Sequence, residues 1–175
     1  MSNNNITANI VLEMLTPEYG PFEWVPRLDP VSEIVATILS QHTSDTNSER
    51  AFAQLIKSFG TLEQVAKADV RSIETCIRTG GLANVKAPRI KNALNIILQE
   101  RGSLDVRFLK DLPLDQAKQW LKDIPGIGPK SAAVILCFAL GMPAMAVDTH
   151  VYRVSKRLGL IEPNSGYQDA HDVLE

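Results

Sequence analysis

The sequence predicts an all-α protein. Apolar residues recur at helical spacing in nearly every segment, no run alternates convincingly as a strand, and residues that start or stop helices punctuate the chain at short intervals. With 175 residues and 45% hydrophobic content, the chain can bury a proper core as one domain or as two small lobes.

An amphipathic segment at residues 6–15 comes first, followed by a loop with Pro17, Gly20, Pro21 and Pro26 that suits a separate lobe. Asp29-Pro30 is a cap followed by a proline at the first helical position, and it opens the stripe Val31, Ile34, Val35, Ile38, Leu39. Ala51, Phe52, Leu55, Ile56 and Phe59 form the next stripe, which Asp45 is expected to start and Gly60 to stop. Thr61-Leu62-Glu63-Gln64 reads as a capping box for a third helix. Further helices are expected over residues 69–78, 85–100, 114–122, 130–140 and 148–158. Trp24 and Trp120 read as core, and His150 and Tyr152 as packing or hydrogen-bonding residues.

Composition narrows the function without naming it. Eighteen Lys and Arg against 20 Asp and Glu give a net charge of -2, so any nucleic-acid contact must come from a local patch. Lys86, Arg89 and Lys91 cluster, as do Arg153, Lys156 and Arg157, but such groups equally suit solvated helix faces. No stretch is long and apolar enough to cross a bilayer, and the Met1-Ser2-Asn3-Asn4-Asn5 start lacks a basic signal region, so a soluble cytoplasmic protein is expected. Two cysteines, Cys76 and Cys137, are too few for a disulfide framework or a four-thiolate metal site, and they read as small buried side chains.

The most informative segment is Leu121-Lys122-Asp123-Ile124-Pro125-Gly126-Ile127-Gly128-Pro129-Lys130-Ser131-Ala132-Ala133. Gly126 and Gly128 can take positive φ and let a phosphate approach the backbone, while Pro129 suits the first turn of the next helix. Such a hairpin aims N–H groups and the positive end of a helix at an anion, which lets an acidic chain hold DNA without reading its sequence. Alone, the Gly-x-Gly also fits an ordinary connection between helices.

Pro125-Gly126-Ile127-Gly128-Pro129-Lys130, followed by Val147-Asp148-Thr149-His150-Val151-Tyr152-Arg153-Val154, resembles the helix-hairpin-helix and Gly/Pro-Asp signature of the endonuclease III family. Ile38-Leu39-Ser40-Gln41-His42-Thr43-Ser44-Asp45 is similar to that family's Leu-Ser-x-Gln-x-x-Asp region, and Gly81-Leu82-Ala83-Asn84-Val85-Lys86-Ala87 to its Gly-Leu-x-x-x-Lys-Ala loop. The resemblance runs from about residue 29 to residue 160. It implies a six-helix barrel lobe packed against a second helical lobe, with a DNA groove between them. Residues 1–28 would open the second lobe, 29–142 would form the barrel with the helix-hairpin-helix at 114–140, and 143–175 would return to the second lobe.

The implied activity is base excision: a glycosylase and abasic-site lyase acting on oxidised pyrimidines in duplex DNA, expected as a nucleoid-associated monomer. Lys130 would be the nucleophile and Asp148 its acidic partner. An ordinary lysine, with a pKa near ~10.4, is a poor nucleophile, so a helix N-terminus and partial burial are expected to favour the neutral amine that attacks the sugar C1′. The plain alternatives are a phosphate-binding lysine and a simple helix cap, and a capped carboxylate can still stabilise positive charge on the sugar. Gly126, Ile127, Gly128, Ser131 and Lys86 would contact DNA. Gln41, His42 and Leu82 would fill the gap left by a flipped base, with His42 standing where many relatives have glutamine. A monofunctional mismatch or alkylbase glycosylase and a non-catalytic DNA-binding module are the competing readings.

Many members of the family hold a [4Fe-4S] cluster on four C-terminal cysteines, and this chain has none of those, so neither cluster nor other metal is expected. The last residues read as a helix cut off in progress, which suits a fragment or a shortened relative with apolar surface exposed on its second lobe.

Overall fold

The fold is built around α2 (Pro30–Ser40), a helix buried on nearly every side. The computed structural model describes residues 7–20, 23–167 and 169–175; Ile6 and Pro21 of the expected N-terminal segment lie outside them. Asp29 caps α2 by accepting from the Ser32 amide at 3.1 Å, and Pro30 begins it, as the sequence suggested. Ile34, Val35, Ile38 and Leu39 are fully buried, and each such side chain contributes about 1.5–3 kcal/mol by leaving water. Around them pack α3 (Asp45–Phe59), α6 (Ala83–Arg101) and α8 (Pro129–Leu140).

Glu33, also fully buried on α2, is ion-paired with Arg27 of the segment before the helix. That segment runs along α8, because the Arg27 amide donates to the Phe138 carbonyl and Trp24 Nε1 to the Cys137 carbonyl at 2.8 Å. Trp24 is half-exposed, where the sequence suggested core: one face of its ring lies against Gly141, where a Cβ would come within 3.1 Å.

Short helices α4 (Leu62–Lys67) and α5 (Val70–Cys76) follow α3, capped by Thr61 and Asp69. Asp45 begins α3 as expected, and Ser44 before it is the cap, its hydroxyl accepting from the Asn47 amide. Two boundaries differ from expectation. The helix expected over 69–78 stops at Cys76 and continues as a 3-10 turn, Arg78–Gly80. α6 begins at Ala83, two residues early, because Leu82 adopts a left-handed conformation in front of it. α7 (Leu114–Lys122) and α8 are the two arms of the hairpin.

Most buried apolar residues, from Val31 to Ala144, form one cluster. Val147, Ile161 and Ala170 form a second with Met145, Val151, Tyr152 and Leu174, contributed by α9 (Thr149–Leu158), α10 (Asp169–Leu174) and the loops beside them. The N-terminal helix α1 (Ala8–Tyr19) buries none of its residues and leaves Leu12, Met14 and Tyr19 exposed. Among the described residues there is no strand, and no helix is long and apolar enough to cross a membrane.

Candidate active site

The hairpin between α7 and α8 sets the floor of the site. Gly126 has φ +97°, which strains any residue with a Cβ, and a Cβ there would stand 2.8 Å from Cδ of Arg89, so the Arg89 side chain of α6 lies directly over the bare glycine. Gly128 differs from expectation: its φ of -95° is open to any residue. Its value lies in bareness, since nothing stands within 4 Å of its Cβ position. No side chain caps α8, and no acidic residue occupies its first turn. Amides at Gly128, Lys130 and Ser131 therefore meet solvent at the positive end of a helix, the arrangement that binds an anion.

Ile127 is corrected as a contact residue. Its side chain is buried and its amide donates to the Ile124 carbonyl at 3.1 Å, so it anchors the hairpin and has no donor to offer a phosphate. Lys86 is corrected too. It is 1% exposed, and Nζ donates to the carbonyls of Leu39 and Gly80, at 2.7 Å each. An ammonium enclosed in this way cannot reach DNA.

Lys130 stands in the first turn of α8 and is exposed, so the partial burial expected to desolvate it is not supplied by the chain itself. Asp148 caps α9: Oδ1 accepts from the amides of Val151 at 2.8 Å and His150 at 2.9 Å. Those bonds, that of Val151 first, hold the carboxyl below the ordinary aspartate range against an opposing effect of partial burial, and the charges of His150 and Lys130 act in the same direction. Lys130 thus acts on Asp148 through its charge from 18 residues earlier in the chain. Oδ2 takes no hydrogen bond among the described residues, so one oxygen serves the helix and the other is left for chemistry. Tyr167 Oη donates to the carbonyl of Val147, just before Asp148, at 2.7 Å.

The expected wedge residues sit on two turns, and that of Gln41 and His42 is tied to the hairpin. His42 (φ 54°) and Leu82 (φ 49°) are the two non-glycine residues with positive φ among those described, and both are exposed. Gln41 is engaged elsewhere. Its Nε2 donates to the Gly126 carbonyl at 2.9 Å and its Oε1 accepts from Arg89 Nη1 at 3.2 Å, so it ties the end of α2 to the hairpin and is not free to insert. Arg89 was visible in the sequence only as one of a basic cluster. Its packing on Gly126 could not be read from spacing, because the two meet across the fold.

The four-cysteine cluster does not fit these residues. Cys76 ends α5, Cys137 lies in α8, burial pushes the Cys137 thiol up and away from the thiolate form, and among the described residues no three or more His, Cys, Asp or Glu side chains could hold a metal.

Residues 35–175 match the family model of the HhH-GPD superfamily base excision DNA repair proteins. The chain belongs to this family. A relative from Arabidopsis thaliana, named a putative DNA glycosylase, is 42% identical over 128 residues, 73% of this chain and 44% of its own length. The endonuclease III of Thermotoga maritima is 35% identical over 134 residues, 77% of this chain and 59% of its own. The chain thus spans about half the length of these HhH-GPD relatives. Among solved structures, a trapped endonuclease III–DNA covalent intermediate matches with a TM-score of 0.71 at 30% identity, over 95% of this chain and 72% of that one. In this chain Lys130 and Asp148 stand at two consecutive helix N-termini.

Proposed function

We propose that this chain carries the catalytic machinery of a bifunctional DNA glycosylase and abasic-site lyase, acting on damaged pyrimidines in duplex DNA. One observation carries the reading: Lys130 stands in the uncapped first turn of α8 and Asp148 at the capped start of α9, and the charge of Lys130 helps to hold the Asp148 carboxyl ionised. The solved relative trapped covalently on DNA supports it. In this reading the amides at Gly128 and Ser131 hold a phosphate, and His42 and Leu82 fill the gap left by the flipped nucleotide. Closure on DNA removes water from Lys130, which the free chain leaves exposed.

The neutral Lys130 amine then attacks the sugar C1′, the C1′–N bond to the base breaks, and the base leaves with the electron pair and takes up a proton. Loss of a second amine proton and ring opening give the Schiff base. Removal of a C2′ proton then expels the 3′-phosphate by β-elimination. Asp148 stabilises positive charge on the sugar and assists deprotonation of the amine.

Borohydride tests this, because it reduces a Schiff base to a stable adduct. Trapping on an abasic-site duplex is expected for the wild-type chain and absent for Lys130→Gln, with duplex binding largely kept. The exposure of Lys130 favours a second reading, a monofunctional glycosylase, and base release without any adduct would establish it in place of the first.

A further inference from the structure

We propose that Lys86 is a positioning residue: a buried strut that holds the His42 turn and the Leu82 turn at a fixed separation. The proposal rests on the reading of these two turns as the elements that fill the gap in the duplex.

Lys86 is among the largest fully buried side chains of the fold. Its Nζ donates to the Leu39 carbonyl, in the last turn of α2, and to the Gly80 carbonyl, the last residue of the 3-10 turn, both at 2.7 Å. Terminal carbonyls of this kind have no partner within their own helix, and they carry the negative end of its dipole. One ammonium therefore closes two helix ends at once. No carboxylate is ion-paired with it among the described residues, and burial pushes it below the ordinary lysine range, so its charge is met by the two carbonyl dipoles.

The residues just beyond those two carbonyls give the arrangement its meaning. Three residues after Leu39 stands His42, and two residues after Gly80 stands Leu82. These are the two positions among the described residues where a residue with a Cβ is held at positive φ. Left-handed backbone costs such a residue about 1–2 kcal/mol, and it persists only where the surroundings over-determine it. Lys86 supplies that constraint to both turns together. Gln41 fastens only one of them, through the hairpin, and nothing else in the described hydrogen bonds links the end of α2 to the 3-10 turn. An apolar side chain of equal length would fill the same volume, but it would leave two buried acceptors bare and the turns uncoupled.

The test uses the full chain and a duplex with a tetrahydrofuran abasic analogue beside 2-aminopurine, whose fluorescence rises when the neighbouring stack is opened. Affinity is read by anisotropy on the same duplex, and folding by circular dichroism. Lys86→Met is expected to fold, to bind within about three-fold of wild type because the phosphate contacts lie elsewhere, and to lose about ten-fold of the fluorescence rise. Lys86→Arg, which can still donate to both carbonyls, is expected to recover most of it. Leu82→Ala and His42→Ala report on the underlying reading. If they leave the rise intact, the wedge assignment is wrong and the proposal falls with it. If they lower the rise while folded Lys86→Met keeps it, the wedge assignment stands and the strut alone is overturned. An Arg variant as impaired as Met also overturns it. So does failure of both Lys86→Met and Lys86→Gln to fold, which would make Lys86 a residue of the fold alone.

Discussion

Asp148 caps α9 with one oxygen and, in the proposed reading, acts on the sugar with the other, and substitution separates the two roles. Oδ1 accepts two amides at the start of α9, so Asp148→Ala leaves both bare and is expected to cost about 1–2 kcal/mol, the usual range for a lost cap. For a chain of this size that is about 3–6 °C in Tm. Asparagine keeps a carbonyl oxygen in the same place, and Asp148→Asn loses only the attraction between the negative charge and the helix end, about 0.3–1 kcal/mol. Because folding holds the carboxyl below its ordinary value, its charge stabilises fully above the unfolded pKa of ~3.9 and is lost as pH falls through the folded value. The gap in Tm between wild type and Asp148→Asn is therefore expected to stay constant near neutral pH and to close below about pH 4. Thermal unfolding by circular dichroism over that range measures it. Single-turnover base release measures the other role, and a loss of about 10²-fold or more in Asp148→Asn is expected if the charge acts on the sugar. Equal loss of Tm in the Ala and Asn variants would refute the cap. Wild-type rates in Asp148→Asn would refute the catalytic carboxylate.

Gly126→Ala must force φ +97° on a Cβ and displace Arg89, so it is expected to cost about 1–3 kcal/mol of stability, whereas Gly128→Ala should fold normally and weaken duplex affinity alone; urea unfolding and anisotropy distinguish them. Arg27→Met strips the partner from fully buried Glu33, and because Arg27 is itself half-exposed the expected loss is about 2–3 kcal/mol, read by urea unfolding. Binding to abasic duplex should weaken by about ten-fold or more between 50 and 200 mM salt, since phosphates supply most of it, and a flat response by anisotropy would count against the hairpin contacts.

Local chemistry made much of this fold legible. Asp29-Pro30, Thr61 and Gly60 act in the structure as their side chains or their freedom of φ suggest, because caps and stops depend on neighbours three or four residues away. The failures are contacts across the fold. Lys86 looked like one of three surface cations, but the end of α2 and the 3-10 turn close over it, and neither lies on its own helix. Gln41 looked free to insert because its partners, Gly126 and Arg89, lie 85 and 48 residues away in sequence. Ile127 and Gly128 were read as equivalents by motif, yet one points into the core and the other is bare.

In the proposed reading the hairpin holds DNA by main chain alone. Amides are present whatever the side chains, so drift in sequence cannot remove them; only a change of loop length, or of Gly126, can. On the proposed reading, the parts that fill the gap in the duplex are of the opposite kind, two side chains on two separate turns. Substitution at positions 42 and 82 would then change how the gap is filled and leave the main-chain contacts to phosphate as they are.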